Sequence, residues 1–187
     1  MRRITGIILA GGKSSRMGTD KGVVELNNKK IIQYVVDVLN EVVSDLIIIA
    51  NNRNYDYLGC RIYNDLIKEV GPLGGIYTGL YYSETEYNLI VSCDTPYLKK
   101  EILNTLIDAI SQGDYDLIIA KENNSIHPLC AIYSKRMMKK LETYISKNEL
   151  KLKEIVKDFK TKTIDFNSST AFTNINTKED LLKLASS

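Results

Sequence analysis

The sequence carries little net charge and contains no long hydrophobic segment. Its formal charge is +2 at pH 7 over 187 residues, which is too small to indicate a nucleic-acid or membrane partner. The positively charged residues Arg2 and Arg3 precede an apolar run, but that run ends at Gly11. The run is too short for the hydrophobic region of a signal peptide or for a membrane span. We therefore expect a cytoplasmic protein with neither membrane nor nucleic acid among its partners.

Cysteine and histidine are also scarce. Cys60, Cys93 and Cys130 lie far apart and form no C-x-x-C pair, so neither a zinc site nor a disulfide framework is predicted. Reduced thiols agree with a cytoplasmic location. The single histidine is His127, and no Ser-His-Asp or Cys-His arrangement is apparent. The sequence therefore offers no recognisable side-chain nucleophile.

What the chain does contain is a regular alternation of apolar segments. Its 44% hydrophobic and 26% charged residues are typical of one globular domain of this length. Strands are predicted at 7–10, 46–50, 60–63, 87–92, 115–120, 129–133 and 161–165, and helices at 31–43, 71–81, 103–110, 136–147, 150–159 and from Thr177. Strands that alternate with helices predict an α/β fold, a Rossmann-like three-layer αβα domain around a mostly parallel sheet.

The first strand ends in a loop suited to phosphate. Gly11 and Gly12 stop the apolar run, and three cations follow within ten residues, Lys13, Arg16 and Lys21. Backbone N–H groups and cations at the carboxyl end of a buried strand can hold phosphate. A Walker A loop is excluded because Ile7 stands where that motif needs glycine. The dinucleotide motif G-x-G-x-x-G is excluded because the two glycines are adjacent.

Polar residues follow three further strands of the predicted sheet. Asn51, Asp65 and Asp94 each come just after a strand, and ligands of parallel sheets lie beyond the carboxyl ends of the strands. A carboxylate such as Asp94, together with phosphate oxygens, is a usual Mg²⁺ environment. Both carboxylates also suit turns or caps. His127 suits either a substrate contact or a structural role.

Five segments of the sequence resemble one family in the same order. The segments are 9–21, 71–76, 93–97, 127–133 and 172–181. They resemble the nucleotidyltransferase superfamily and, in detail, the molybdenum cofactor guanylyltransferases (MobA family). The resemblance covers nearly the whole chain. Among the nucleotidyltransferases, the segment that points most specifically to this family is Asn-Ile-Asn-Thr before an acidic helix start. The resemblance implies transfer of GMP from GTP to the phosphate of the molybdenum-bearing molybdopterin cofactor, with release of pyrophosphate.

The resemblance also implies roles for individual residues. The nucleotide would be bound by Leu9, Ala10, Gly11, Gly12, Lys21, Asn51, Asp65 and Asp94. The catalytic residues would be Arg16, Lys21 and Asp94, with Asp94 also holding Mg²⁺. The acceptor would meet Gly75, His127, Asn174 and Asn176. Residues 1–120 would then form the nucleotide part and 121–187 the acceptor part of a single domain. The sequence leaves the oligomeric state open, with a monomer plausible, and molybdoenzyme-maturation proteins are possible partners.

Two departures from the family pattern keep alternatives open. Ile48 and Ile49 are apolar where the family often has a polar residue, which leaves Asn51 as the nearest candidate for a base contact. The segment before the last strand offers Lys147, Lys151 and Lys153 instead of arginines, and lysine lacks the bidentate fork. A related transferase that uses CTP or another phosphorylated acceptor is therefore an alternative. A catalytically silent nucleotide-binding protein is a third.

Overall fold

A seven-stranded sheet forms the centre of the computed structural model. The structure describes residues 3–11, 21–167, 170–175 and 180. The sheet order is β5-β4-β1-β6-β8-β7-β9, and each neighbouring pair is parallel except the two that involve β8. The strands are β1 (Thr5–Leu9), β4 (Asp45–Ile49), β5 (Arg61–Tyr63), β6 (Tyr87–Ser92), β7 (Leu117–Glu122), β8 (Ser125–Ser134) and β9 (Thr161–Phe166). The predicted mostly parallel α/β sheet is confirmed.

Helices cover both faces of the sheet because alternate side chains of each buried strand point to opposite faces. On β1, Ile8 packs in one core cluster with helices α1 and α3. Ile7 and Leu9 pack in the other cluster with α2, α4 and α5. The helices are α1 (Ile31–Asn40), α2 (Pro72–Tyr82), α3 (Lys100–Asp108), α4 (Met138–Ser146) and α5 (Leu152–Ile155). None of the helices described is both long and apolar enough to cross a membrane.

The one antiparallel strand enters the sheet through the predicted turn at Asn123 and Asn124. Both residues have positive φ, 46° and 63°, the conformation of tight hairpin turns, which asparagine tolerates well. β8 then runs back between β6 and β7. Its amino end consequently lies at the edge of the sheet where its neighbours β6 and β7 end. This arrangement brings His127, near the start of β8, to that edge.

Other boundaries differ from the predicted ones. A small hairpin of β2 (Glu25–Leu26) and β3 (Lys29–Lys30) was not predicted, and it turns at Asn27 and Asn28, both with positive φ. The predicted helix 31–43 ends at Asn40, and the predicted helix 150–159 shortens to α5 followed by a 3-10 turn, Val156–Asp158. The start predicted for a last helix, Thr177, lies outside the described residues.

Candidate active site

Four parallel strands end side by side at one edge of the sheet. Backbone hydrogen bonds continue the ladder past the strands: Ala10 donates to Ile49 at 2.9 Å, and Cys93 donates to Leu9 at 3.1 Å. These bonds fix the segments that carry the predicted nucleotide-binding residues Leu9, Ala10, Gly11, Asn51, Asp65 and Asp94. The sheet therefore brings these residues to one edge. Gly12 and Arg16 lie outside the described part of the chain.

Lys21 and Asp94 form an ion pair at this edge. The distance between Lys21 Nζ and Asp94 Oδ2 is 3.5 Å, and the side chains are 24% and 10% exposed. The Ser92 hydroxyl lies 2.5 Å from Asp94 Oδ1 and donates a hydrogen bond to it. A cation and a nearly buried carboxylate that are 73 residues apart in sequence are thus adjacent in space. The pair places both signs of charge at this edge of the sheet.

The donor set at Asp94 fits a hard cation that binds few protein ligands. In the described part of the chain, no group of three His, Cys, Asp or Glu residues is placed to hold a metal. Zinc sites are usually built from three or four such ligands. Magnesium is often bound by one or two carboxylates, with water and substrate phosphate completing the octahedron. Asp94 has acceptor capacity beyond its bonds to Ser92 and Lys21, so it fits Mg²⁺ together with a phosphate-bearing substrate.

Asn51 and Asp65 bind each other at the ends of β4 and β5. The Asn51 amide nitrogen donates to Asp65 Oδ2 at 2.7 Å, and the Asp65 backbone N–H donates to Asn51 Oδ1 at 3.0 Å. The second carboxylate oxygen, Asp65 Oδ1, is buried and has no hydrogen-bond partner. A Cβ atom at Gly75 would lie 3.7 Å from that oxygen and 3.1 Å from Leu9 Cδ2. Gly75 therefore lies beside the predicted nucleotide residues.

Sequence patterns missed a contact between the segment that follows Lys21 and the loop that follows β4. Tyr55, in the loop after β4, is fully buried. A Cβ atom at Gly22 would lie 2.5 Å from the Tyr55 hydroxyl oxygen, so only glycine fits beside this ring. Gly22 directly follows Lys21, whereas Tyr55 follows Asn51 by four residues. The only sequence signal was a glycine next to the key lysine, and nothing in the sequence pairs it with a tyrosine.

The segment formed by residues 170–175 also reaches this edge. The Ile175 backbone N–H donates to the Asp94 carbonyl oxygen at 3.0 Å. The Ile175 side chain is buried with Leu26 of the small hairpin and Ile31 of α1. Asn174, predicted to meet the acceptor, is exposed next to this anchor. Asn176 lies outside the described residues.

His127 lies at the same edge and packs against that segment. Its ring is stacked on Phe172, with centroids 4.4 Å apart and planes 15° apart. Its Nε2 atom is buried without a hydrogen-bond partner, and Glu122 Oε2 lies 3.9 Å away. Burial lowers the pKa of His127 below its ordinary value. Glu122 opposes this shift and Lys153 adds to it. The neutral ring is thus the favoured form at neutral pH.

The lysines predicted near the acceptor occupy an exposed surface. Lys147, Lys151 and Lys153 are all exposed. Among them, Lys153 Nζ lies 3.5 Å from the Ser125 hydroxyl at the start of β8, on the His127 side of the sheet edge. Of these three lysines, Lys153 is therefore the one with a described contact to the strand that carries His127.

Relatives extend over nearly the whole chain. A "probable molybdenum cofactor guanylyltransferase" of Flavobacterium johnsoniae is 37% identical over 183 residues, which cover 97% of this chain and 96% of that protein. A molybdenum cofactor guanylyltransferase of Vibrio campbellii is 34% identical over 179 residues, 94% of this chain and 91% of that protein. The crystal structure of molybdopterin-guanine dinucleotide biosynthesis protein A from Archaeoglobus fulgidus has the same fold. It superimposes with a TM-score of 0.82, at 23% identity and 97% coverage of both chains.

The family model agrees with these relatives. A model described as the MobA-like NTP transferase domain matches residues 6–163. The matched region begins in β1 and ends in β9, so it includes all seven strands of the main sheet. It also includes the edge at which Lys21 and Asp94 meet. Sequence, fold and site geometry agree that this chain is a nucleotidyltransferase of the MobA-like NTP transferase family.

Proposed function

We propose that this enzyme transfers GMP from GTP to the phosphate of the molybdenum-bearing molybdopterin cofactor and releases pyrophosphate. The observation that carries the proposal is the Lys21–Asp94 pair, 3.5 Å apart at the end of the phosphate loop, in a chain whose relatives bear the guanylyltransferase name. An acceptor phosphate oxygen attacks the α-phosphorus of GTP. The bond from that phosphorus to the bridging oxygen breaks, and pyrophosphate leaves with the bonding electron pair.

The nucleotide half of the proposed site consists of residues from β1, β4 and β5. Leu9, Ala10 and Gly11, with Gly12, line the guanine and ribose side. Asn51 orients Asp65 through their two hydrogen bonds. The unpartnered Asp65 Oδ1 accepts a hydrogen bond from the nucleotide, because a buried carboxylate oxygen is costly when it bonds nothing. Asn51 is the nearest group for a base contact.

The phosphate half depends on charge and position. Lys21 and Arg16 meet the phosphates, and Asp94 holds Mg²⁺. Mg²⁺ held by Asp94 would supply positive charge that offsets the charge of the phosphates. The attacking phosphate is already anionic, so the reaction needs no strong general base. The main task of the protein is to hold two anions together, which positioning and fixed positive charge accomplish.

The acceptor half lies towards β8 and the segment 170–175. We place Asn174 and His127 on this side, with Gly75 bordering the nucleotide, and we add Asn176, which lies outside the described residues, as a proposed acceptor contact. Lys153 supplies positive charge near β8. This half corresponds to residues after about 120, and the nucleotide half to those before. We place the reaction in the cytoplasm, with molybdoenzyme-maturation proteins as the receivers of its product.

The test compares nucleotides and acceptors. Pyrophosphate release is measured with GTP and with CTP, each with and without molybdopterin that carries molybdenum, at saturating Mg²⁺. We expect release that depends on GTP, on acceptor and on metal, and that stops when EDTA removes the metal. Equal or faster turnover with CTP removes the guanylyl assignment. If GTP binds but no turnover occurs in any of the four arms, including the complete mixture of GTP, acceptor and Mg²⁺, the silent nucleotide-binding alternative is favoured.

A further inference from the structure

The segment 170–175 connects the two halves of the site. At one end, Phe172 is 7% exposed in the core and its ring contacts His127 of β8 and Phe166 of β9. At the other end, Ile175 is fully buried against the small hairpin and α1. At this second anchor the Ile175 backbone N–H donates to the Asp94 carbonyl oxygen at 3.0 Å. The segment is therefore hydrogen-bonded directly to the backbone that carries Asp94.

The Phe172 anchor depends on the His127 ring. The two rings lie nearly parallel at 4.4 Å, a separation at which aromatic stacking contributes beyond area burial. The contact between Phe166 and Phe172 is longer, 5.7 Å, and tilted by 51°. Of the ring contacts that Phe172 makes, the one with His127 is thus the closer and the more parallel. It joins the end of β8 to the segment.

The Nε2 atom of His127 is poorly placed to bind an anionic acceptor. It is buried, so a substrate cannot reach it without displacing the packing around it. The Glu122 carboxylate lies 3.9 Å from Nε2, and a negative charge there repels a phosphate. Burial also favours the neutral ring. The side chain is well placed for packing and badly placed for charge recognition.

We propose that His127 is a positioning residue whose ring, through Phe172, holds residues 170–175 so that Ile175 bonds Asp94 and Asn174 lies beside the acceptor. The inference rests on the proposed function only in treating Asp94 and Asn174 as site residues. His127 therefore serves the acceptor side without touching the acceptor. Its packing also reaches the nucleotide side, because Asp94 belongs to that side.

The substitutions His127→Phe and His127→Ala separate packing from direct contact. Phenylalanine keeps a ring that stacks on Phe172 but has no nitrogen, and it removes a buried nitrogen without a partner. Alanine removes the ring. Phe172→Ala removes the other half of the stack. Tyr115→Ala is the matched control, because Tyr115 packs on the same core cluster just before β7, at the opposite edge of the sheet.

The first measurement is amide hydrogen exchange of residues 170–175, which needs no substrate. We expect faster exchange of the Ile175 amide in His127→Ala and Phe172→Ala, and wild-type protection in His127→Phe and Tyr115→Ala. Unchanged protection in His127→Ala overturns the proposal, whatever nucleotide the enzyme uses. Loss of protection in Tyr115→Ala to the same degree also overturns it, since the effect is then general destabilisation.

The second measurement is transfer kinetics with the nucleotide that the wild type prefers. We expect kcat/KM to fall by about 10- to 100-fold in His127→Ala and Phe172→Ala, because misplaced reacting groups cost rate. Both KM for the nucleotide and kcat should change, while His127→Phe stays close to wild type. If His127→Phe loses as much as His127→Ala, and only through KM for the acceptor, a ring nitrogen contacts the acceptor and the proposal is wrong. Absence of transfer in the wild type contradicts the proposed function and leaves the exchange test in force.

Discussion

At the scale of single residues, the proposed site depends on Asp94, a carboxylate that already accepts hydrogen bonds from Ser92 and Lys21. Its side chain is 10% exposed at the end of β6. Its backbone is fixed as well, because Cys93 donates to Leu9 and Ile175 donates to the Asp94 carbonyl. A charged group held this firmly loses little freedom when substrate and metal bind, and such preorganisation favours catalysis by charge.

Asp94→Asn should nearly abolish transfer while leaving the fold intact. Asparagine keeps the size of the side chain but removes the charge that faces Lys21 and the proposed metal. We expect kcat to fall by at least about 100-fold, with the circular dichroism spectrum unchanged and more Mg²⁺ needed for the remaining activity. Asp37→Asn is the control, because Asp37 forms an exposed ion pair with Lys29. Exposed ion pairs contribute little to the free energy of unfolding, so this variant removes a carboxylate without affecting the proposed site. Wild-type turnover in Asp94→Asn excludes the catalytic role.

His127 should make the stability of the protein depend on pH in a defined window. Its pKa is lowered in the folded protein, chiefly by burial, whereas in the unfolded chain it stays near about 6.5. As the pH falls, the unfolded chain therefore binds the proton first. The contribution of the neutral, buried His127 to the free energy of unfolding is complete above about pH 6.5, and it is lost as the pH falls below that value towards the folded-state pKa. Urea unfolding of wild type and His127→Phe at pH 7.5 and 5.5 measures it. The wild type should lose more stability on acidification, and equal losses contradict the assignment.

At the scale of elements, helix α2 lies unusually close to β1. A Cβ atom at Gly79 would lie 2.6 Å from Ile7 Cγ2 and 2.9 Å from Ile7 Cδ1, and Ile7 is fully buried. Gly75, one turn earlier, allows a similar approach to Leu9. The helix therefore begins against the strand end that carries the nucleotide residues. Its distance from the sheet is set by these glycines.

Gly79→Ala should destabilise the wild type and stabilise the Ile7→Ala variant. In the wild type the added methyl overpacks Ile7, which costs about 1–3 kcal/mol, more than the gain of up to about 1 kcal/mol in helix propensity. In Ile7→Ala the same methyl enters the cavity left by the isoleucine. Chemical denaturation of the two single variants and the double variant measures the change of sign. Destabilisation of the same size in both backgrounds shows that the two residues do not touch.

At the scale of the whole molecule, the proposed nucleotide half and the proposed acceptor half share one sheet. β8, from the acceptor half, lies between β6 and β7 of the nucleotide half. Cys130 of β8 is fully enclosed, and burial raises its pKa to about 12. Cys93 follows β6 and is also buried. Neither half can open without breaking the hydrogen bonds of the other.

Unfolding should therefore be one cooperative transition. We expect Cys93 and Cys130 to become reactive towards a thiol reagent at the same urea concentration at which the circular dichroism signal is lost. The half-exposed Cys60 serves as the internal control, since it should be labelled slowly before the transition. A range of urea in which Cys130 is labelled while most ellipticity remains would indicate that the acceptor half unfolds separately.

The sequence by itself determined the local elements and the chemistry of the loops. Apolar runs such as 46–50 and 87–92 predicted strands because a buried strand must be apolar on both faces. The glycines and cations after β1 predicted a phosphate loop for equally local reasons. The structure agrees with these elements to within a few residues, apart from the small hairpin at Asn27 and Asn28. The resemblance to a family, which the relatives confirm, came from short segments of the same kind.

Only the tertiary structure decided which of these segments meet. The insertion of β8 between β6 and β7, the contact of Tyr55 with Gly22, and the bond from Ile175 to Asp94 join residues that are distant along the chain. Each depends on how side chains of several elements fill the same space, which spacing along one segment does not encode. The position of Asp94 after a buried strand was therefore predictable. The packing that brings Lys21 Nζ within 3.5 Å of Asp94 Oδ2, to which we propose that His127 contributes, was not.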